Sequence, residues 1–233
     1  MLRGTKNKHI FNAQNIATFT KHFREGKNIL TVKKNLLLLV SCILLLGSAT
    51  IKAQPAIQWQ KCLGGTDYDW ASSVQQTADG GYIVAGTANS NNGDVTGNHG
   101  GRESWVVKLD SNANIQWQKC LGGTNWDGAS SVQQTSDGGF IVEGYANSND
   151  GDVTGNHGSI ECWVVKLDGS GNIQWQKCLG GTGYDDAFSV KQTADGGYIV
   201  AGETNSNDGD ITGNHGGGDN WIVKLDSSAN IQW

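Results

Sequence analysis

Ile-Gln-Trp begins at Ile57, Ile115, Ile173 and Ile231, a spacing of 58 residues each time with no insertion. A chain that repeats itself at a fixed period of this length builds one supersecondary unit per repeat, and the units bury their apolar faces against one another. Three full units, 57–114, 115–172 and 173–230, are followed by three residues of a fourth. The chain stops at Trp233, where the earlier units run on as Gln-Lys-Cys-Leu, so a truncated protein with further units is expected.

Each unit carries four strand signals separated by turn chemistry. In the first, Ala71–Thr77 and Gly81–Ser90 flank an Asp79-Gly80 turn, which predicts a hairpin. Ser104–Asp110 and Asn114–Leu121 flank Ser-Asn-Ala and predict a second. Alternation puts Trp105, Val107 and Leu109 on one face, with Ile115 and Trp117 expected on the same face of the partner. Trp59, Trp117, Trp163, Trp175 and Trp221 fall at strand positions with Trp105 and are predicted core. With 34 glycines and one proline, the chain suits short strands and tight turns. Four antiparallel strands per unit describe the blade of an all-β propeller, here a fragment of three blades.

The words Trp-Gln-Lys-Cys-Leu-Gly-Gly-Thr, Asp-Gly-Gly-Tyr-Ile-Val-Ala-Gly, Gly-Asp-Val-Thr-Gly-Asn-His-Gly and Trp-Val-Val-Lys-Leu-Asp carry a resemblance. The chain from Ile57 to Trp233 resembles the β-propeller repeats of secreted proteins from Gram-negative bacteria, a family often linked to type IX secretion. The resemblance implies the fold and an extracellular setting. It leaves function open, because propellers serve as binding proteins, scaffolds and enzymes alike.

Charge divides the chain. Residues 1–53 carry nine Lys and Arg against the single acid Glu25, a balance of +8, whereas the remainder holds eight bases and 21 acids, a balance of −13. Lys33 and Lys34 precede an apolar run from Asn35 to Gly47, and Ala53 offers a cleavage point. This reads as a signal peptide over 32–53 with residues 1–31 a mis-assigned extension, and it predicts a secreted, cell-surface or periplasmic protein without a stable membrane anchor after cleavage. A lipidated Cys42 is the rival reading. The acidic remainder speaks against a nucleic-acid surface.

Reversal of successive strands places the turns within hairpins on one face of a propeller, and the linkers between hairpins and turns between units on the other. The units diverge on this second face. Asp67-Tyr68-Asp69-Trp70 becomes Asn125-Trp126-Asp127-Gly128 and then Gly183-Tyr184-Asp185-Asp186, and Thr87 becomes Tyr145 and Glu203. That face is the expected partner side. The pairs Tyr68-Asp69, Trp126-Asp127 and Tyr184-Asp185 suit sugar stacking beside a polar group, or packing between blades with the Asp holding the turn.

The linker between hairpins resembles a twelve-residue calcium loop. Asp150, Asp152, Thr154 and Glu161 occupy its first, third, fifth and twelfth positions, matched by Asn92, Asp94, Thr96 and Glu103 and by Asp208, Asp210, Thr212 and Asp219. Hard oxygen ligands at alternate positions and a closing carboxylate are what Ca²⁺ takes. The same residues equally make an Asn/Asp/Gly turn bonded to its own backbone. His99, His157 and His215 recur at one phase, as loop hydrogen-bonding residues do.

Cys62, Cys120 and Cys178 share one phase, and Cys162 stands alone. Pairing Asp168 with Asn172 in an unbroken register places Cys162 opposite Cys178, so a cross-strand disulfide is a candidate in an oxidising compartment. Because every candidate functional residue looks copied threefold, the expected role is a non-enzymatic binding or scaffold module with a protein or glycan partner. A lectin-like propeller is the alternative, followed by a carbohydrate-active enzyme with its site on further blades.

Overall fold

The computed structural model describes residues 55–233. The extension over 1–31, the signal segment over 32–53 and Cys42 lie outside the described residues. Ile57–Trp233 forms one unit built of eleven strands. β1 (Asp69–Gln76), β2 (Tyr82–Ala88), β3 (Glu103–Leu109) and β4 (Ile115–Leu121) make the first antiparallel sheet in sequential order. β5 (Asp127–Gln134), β6 (Phe140–Ala146), β7 (Glu161–Leu167) and β8 (Ile173–Leu179) repeat it. β9 (Asp185–Gln192), β10 (Tyr198–Thr204) and β11 (Asp219–Leu225) make the third, where Ile231 bridges to Leu225 and begins a fourth strand. These are three propeller-type blades, and they do not close into a ring among the described residues.

Turn chemistry sets both hairpins. Thr77 N–H donates to Gly81 O at 2.9 Å and Gly80 takes φ +82°, which gives a three-residue loop of Ala78, Asp79 and Gly80. The second hairpin needs a left-handed residue at its third loop position. It is Gly171 (φ +81°) in the second sheet, whereas Ala113 and Ala229 accept φ of 63° and 65° in the others.

A β-bulge in the second hairpin changes the register. Leu109 pairs with Ile115 but Lys108 pairs with Trp117, leaving Gln116 as the extra residue. Its cause is a buried charge. Lys108 Nζ is satisfied by Gln116 Oε1 at 2.9 Å, Leu109 O at 3.0 Å and Asp79 Oδ2 at 2.8 Å, and the chain bulges to bring Gln116 there. Lys166 and Gln174 repeat the arrangement at 3.1 Å.

Two expectations are corrected by this bulge. Trp117 crosses to the face opposite Ile115, where it meets Phe140 of the next sheet edge to face, 5.6 Å between ring centres. Cys162 pairs with Leu179, and Cys178 with Trp163. The two cysteines therefore point to opposite faces of their sheet, into different cores, and all the described cysteines are free thiols. Trp59 also departs from the core expectation and is partly exposed, in a stretch that takes no strand.

The cores lie between sheets. Ile83, Ala85, Val106 and Leu121 of the first sheet pack against Ala129, Val132, Phe140 and Val142 of the second, and the pattern recurs between the second and third. The first strands of successive sheets also meet edge to edge. Ser73 Oγ accepts from Val132 N at 3.3 Å and Gln75 Oε1 from Gln134 N at 2.6 Å; Ser131 and Gln133 do the same for Val190 and Gln192, at 3.4 and 2.8 Å. Side chains of one blade thus satisfy strand-edge N–H groups of the next, which would otherwise invite foreign strands.

Candidate binding face

Three aspartates organise the face that carries the linkers and the turns between units. Asp127 Oδ2 accepts from Gly123 N at 2.8 Å and Ser148 Oγ at 2.7 Å, while Oδ1 accepts from Asn147 N at 3.0 Å and Ser148 N at 3.1 Å. Asp69 makes the same four bonds, and Asp185 bonds Gly181, Ser206 and Thr204. Asp127 N–H in turn donates to Arg102 O, and Asp185 N–H to Ile160 O, both at 2.8 Å. The turn between units is thereby tied to its own linker and to the linker of the preceding blade. In the three aromatic-Asp pairs the Asp is spent on the frame; Tyr68 and Trp126 are exposed, whereas Tyr184 is only 36% exposed and turns its hydroxyl back to Asp186.

The linkers spend their oxygen groups separately. Asp150 accepts from Thr124 N and Oγ1, both at 2.8 Å, as Asp208 does from Thr182; Asn92 bonds the equivalent Thr66. Asp94 and Asp152 face Gly64 N and Gly122 N at 3.3 and 3.4 Å, and the Asp210 backbone bonds Gly180. Thr96 and Thr154 accept from Gln118 and Gln176, while Thr212 is exposed. Glu103, Glu161 and Asp219 turn back to the N–H and ring Nδ1 of His99, His157 and His215. Burial pushes the Glu103 and Glu161 carboxyls up, against the pull of those histidine bonds. Among the described residues, no three His, Cys, Asp or Glu side chains stand together at metal-ligating spacing. The predicted calcium positions are brought into one loop but not onto one point.

Of the residues present in one copy only, the sequence reading recorded Trp70, Tyr145, Cys162 and Asp186 but passed over Arg102 and Glu143. Arg102 corresponds to Ile160 and Gly218, and Trp70 to Gly128 and Asp186. The Arg102 guanidinium carbon lies 4.9 Å from the centre of the Trp126 ring and 5.5 Å from that of Trp70, so it rests over indoles from two blades. Those indoles are 56% and 42% exposed. Tyr145, another singular residue, adjoins the same guanidinium, which lowers its phenol pKa against the larger upward push of burial.

A second singular group lies between the second and third blades. Glu143 replaces Ala85 and Ala201, is 0% exposed, and has no hydrogen-bond partner on either carboxyl oxygen. Burial, then the nearby Asp186 charge, push its carboxyl well above the usual range. Asp186 accepts from Tyr184 Oη at 3.1 Å and is itself pushed up by burial. The usable signal was subtraction of one repeat from another, which leaves Arg102, Trp70, Glu143, Tyr145, Cys162 and Asp186 standing. Compared with protein-family models and with curated proteins, the chain matches none.

Proposed function

We propose that the chain is a secreted, non-enzymatic propeller module that binds a partner through the face bearing the linkers and the turns between units. One observation carries this reading. Tyr68, Trp126 and Tyr184 are exposed aromatics that each precede an aspartate accepting four hydrogen bonds, on the face where the units differ most. Fixed aromatic side chains cost little entropy to use and present an apolar body with a polar tip, a combination that suits glycans. The export reading rests on the apolar run behind Lys33 and Lys34.

The test is a glycan array, with a protein pull-down beside it, run on the full chain and on a Tyr68→Ala, Trp126→Ala, Tyr184→Ala triple variant. The expected outcome is a partner that the variant loses while keeping its melting temperature. Binding unchanged in the variant, or hydrolysis of a bound glycan, refutes the proposal.

A further inference from the structure

The geometry points to a carboxylate-sugar subsite at the junction of the first two blades, formed by Arg102, Trp70 and Trp126. This inference rests on the binding role proposed above and names the ligand class for one part of that face.

Arg102 is the single arginine of the described residues and forms no ion pair among them, in a stretch of net charge −13. Lys108, Lys166 and Lys224, by contrast, are paired to Asp79, Asp137 and Asp195. Its main chain is pinned, because its carbonyl accepts from Asp127 N and its successor Glu103 opens β3. Its guanidinium lies over two indoles with the Tyr145 phenol hydrogen-bonded beside it, so the planar fork is held in place, and of its five N–H donors the phenol takes only part. A fork ordered in this way loses less entropy on gripping a carboxylate than a free arginine does.

The second junction shows that the fold does not need this cluster. There Gly128, Ile160 and Tyr184 stand at the three equivalent positions, and the junction closes with the same backbone bond, Asp185 N to Ile160 O. The cluster therefore adds something other than closure. Half-exposed indoles beside a bidentate donor match a pyranose ring bearing a carboxylate, with C–H faces for the indoles and an anion for the fork.

Charge narrows the class further. Asp127 has spent its carboxylate on the frame, but the exposed Asp67 and Glu203 keep the face acidic. A polyanion would be repelled by that field, whereas one carboxylate on an otherwise neutral oligosaccharide meets only Arg102.

Three probes measured by calorimetry on the full chain test the subsite: a neutral oligosaccharide capped by one glucuronic acid, its carboxyl-reduced counterpart, and a tri-uronate. The capped probe is expected to bind at least about ten-fold more tightly than the reduced one, and more tightly than the tri-uronate. Arg102→Ile, which installs the residue of the second unit, should erase that preference with the melting temperature retained, and Trp126→Ala should weaken both the capped and the reduced probe. Equal binding of the capped and reduced probes, or a preference that survives Arg102→Ile, overturns the subsite while leaving the binding role intact. Binding of no probe also overturns it, and the array and pull-down then judge the broader proposal separately.

Discussion

Glu143 is the least comfortable residue in the fold. Both of its oxygens lie unpaired between two blades, where the other junction carries Ala85. A buried carboxyl with no partner is retained as the neutral acid, because the anion would lose its hydration with nothing in return. Its folded pKa is raised, so the folded chain holds the proton more tightly than the unfolded chain does. Its own contribution to stability is then greatest below the ordinary glutamate range and falls as pH rises through the raised value, by up to about 1.4 kcal/mol per pH unit. Replacing Glu143 by Met, similar in size and apolar, should stabilise the protein by about 1–3 kcal/mol at neutral pH. Denaturant melts at a series of pH values check this, with the gap between variant and wild type widening toward alkaline pH. Parallel curves would show that the carboxyl does not titrate with folding.

At the scale of the strand, the four-residue hydrogen-bond set around Lys108 decides more than its own neighbourhood. Gln116 is drawn out of register to cap the ammonium, and every residue beyond it in β4 shifts by one. The same step in β8 separates Cys162 from Cys178, and burial pushes the Cys178 thiol up to about 12, as it does Cys120. In the folded protein, iodoacetamide should therefore modify Cys62, which is exposed, and spare Cys120, Cys162 and Cys178 until denaturant is added. Peptide mapping after alkylation reads this directly. Loss of two hydrogen atoms in mass from a linked Cys162–Cys178 peptide pair would instead reveal the disulfide that the bulge forbids. The strands and the residues of both hairpin turns were readable from the sequence, since glycine, asparagine and alternation are local signals. The bulge was not, because nothing near Gln174 announces that Lys166 will be buried and in need of an acceptor.

For the molecule as a whole, the repeat made the fold legible and hid part of the site. Residues copied threefold, such as Asp69, Asp127 and Asp185, proved to be frame, whereas Arg102 and Glu143 escaped notice because an unrepeated residue looks like drift. Cohesion between blades rests on a ladder of side chains as well as on the apolar cores. Replacing Gln75 and Gln133 together by Met should leave Gln134 and Gln192 N–H groups without acceptors and cost about 1–3 kcal/mol for each. Hydrogen exchange at those two amides should accelerate while amides paired within each sheet keep their protection; unchanged exchange would show that the ladder carries no load. Lys191 stands where Gln75 and Gln133 stand in the other blades, and an ammonium cannot accept, so the ladder changes character at the third blade.

The ladder and the cores join positions at one fixed phase, always from one repeat to the next. A gene built this way can gain or lose a whole repeat by misaligned recombination, and the new neighbours meet matching cores, with the ladder bond missing only where Lys191 replaces the glutamine. Blade number is consequently cheap to change over generations. Arg102 and Glu143 are the markers that such an exchange would move, duplicate or erase.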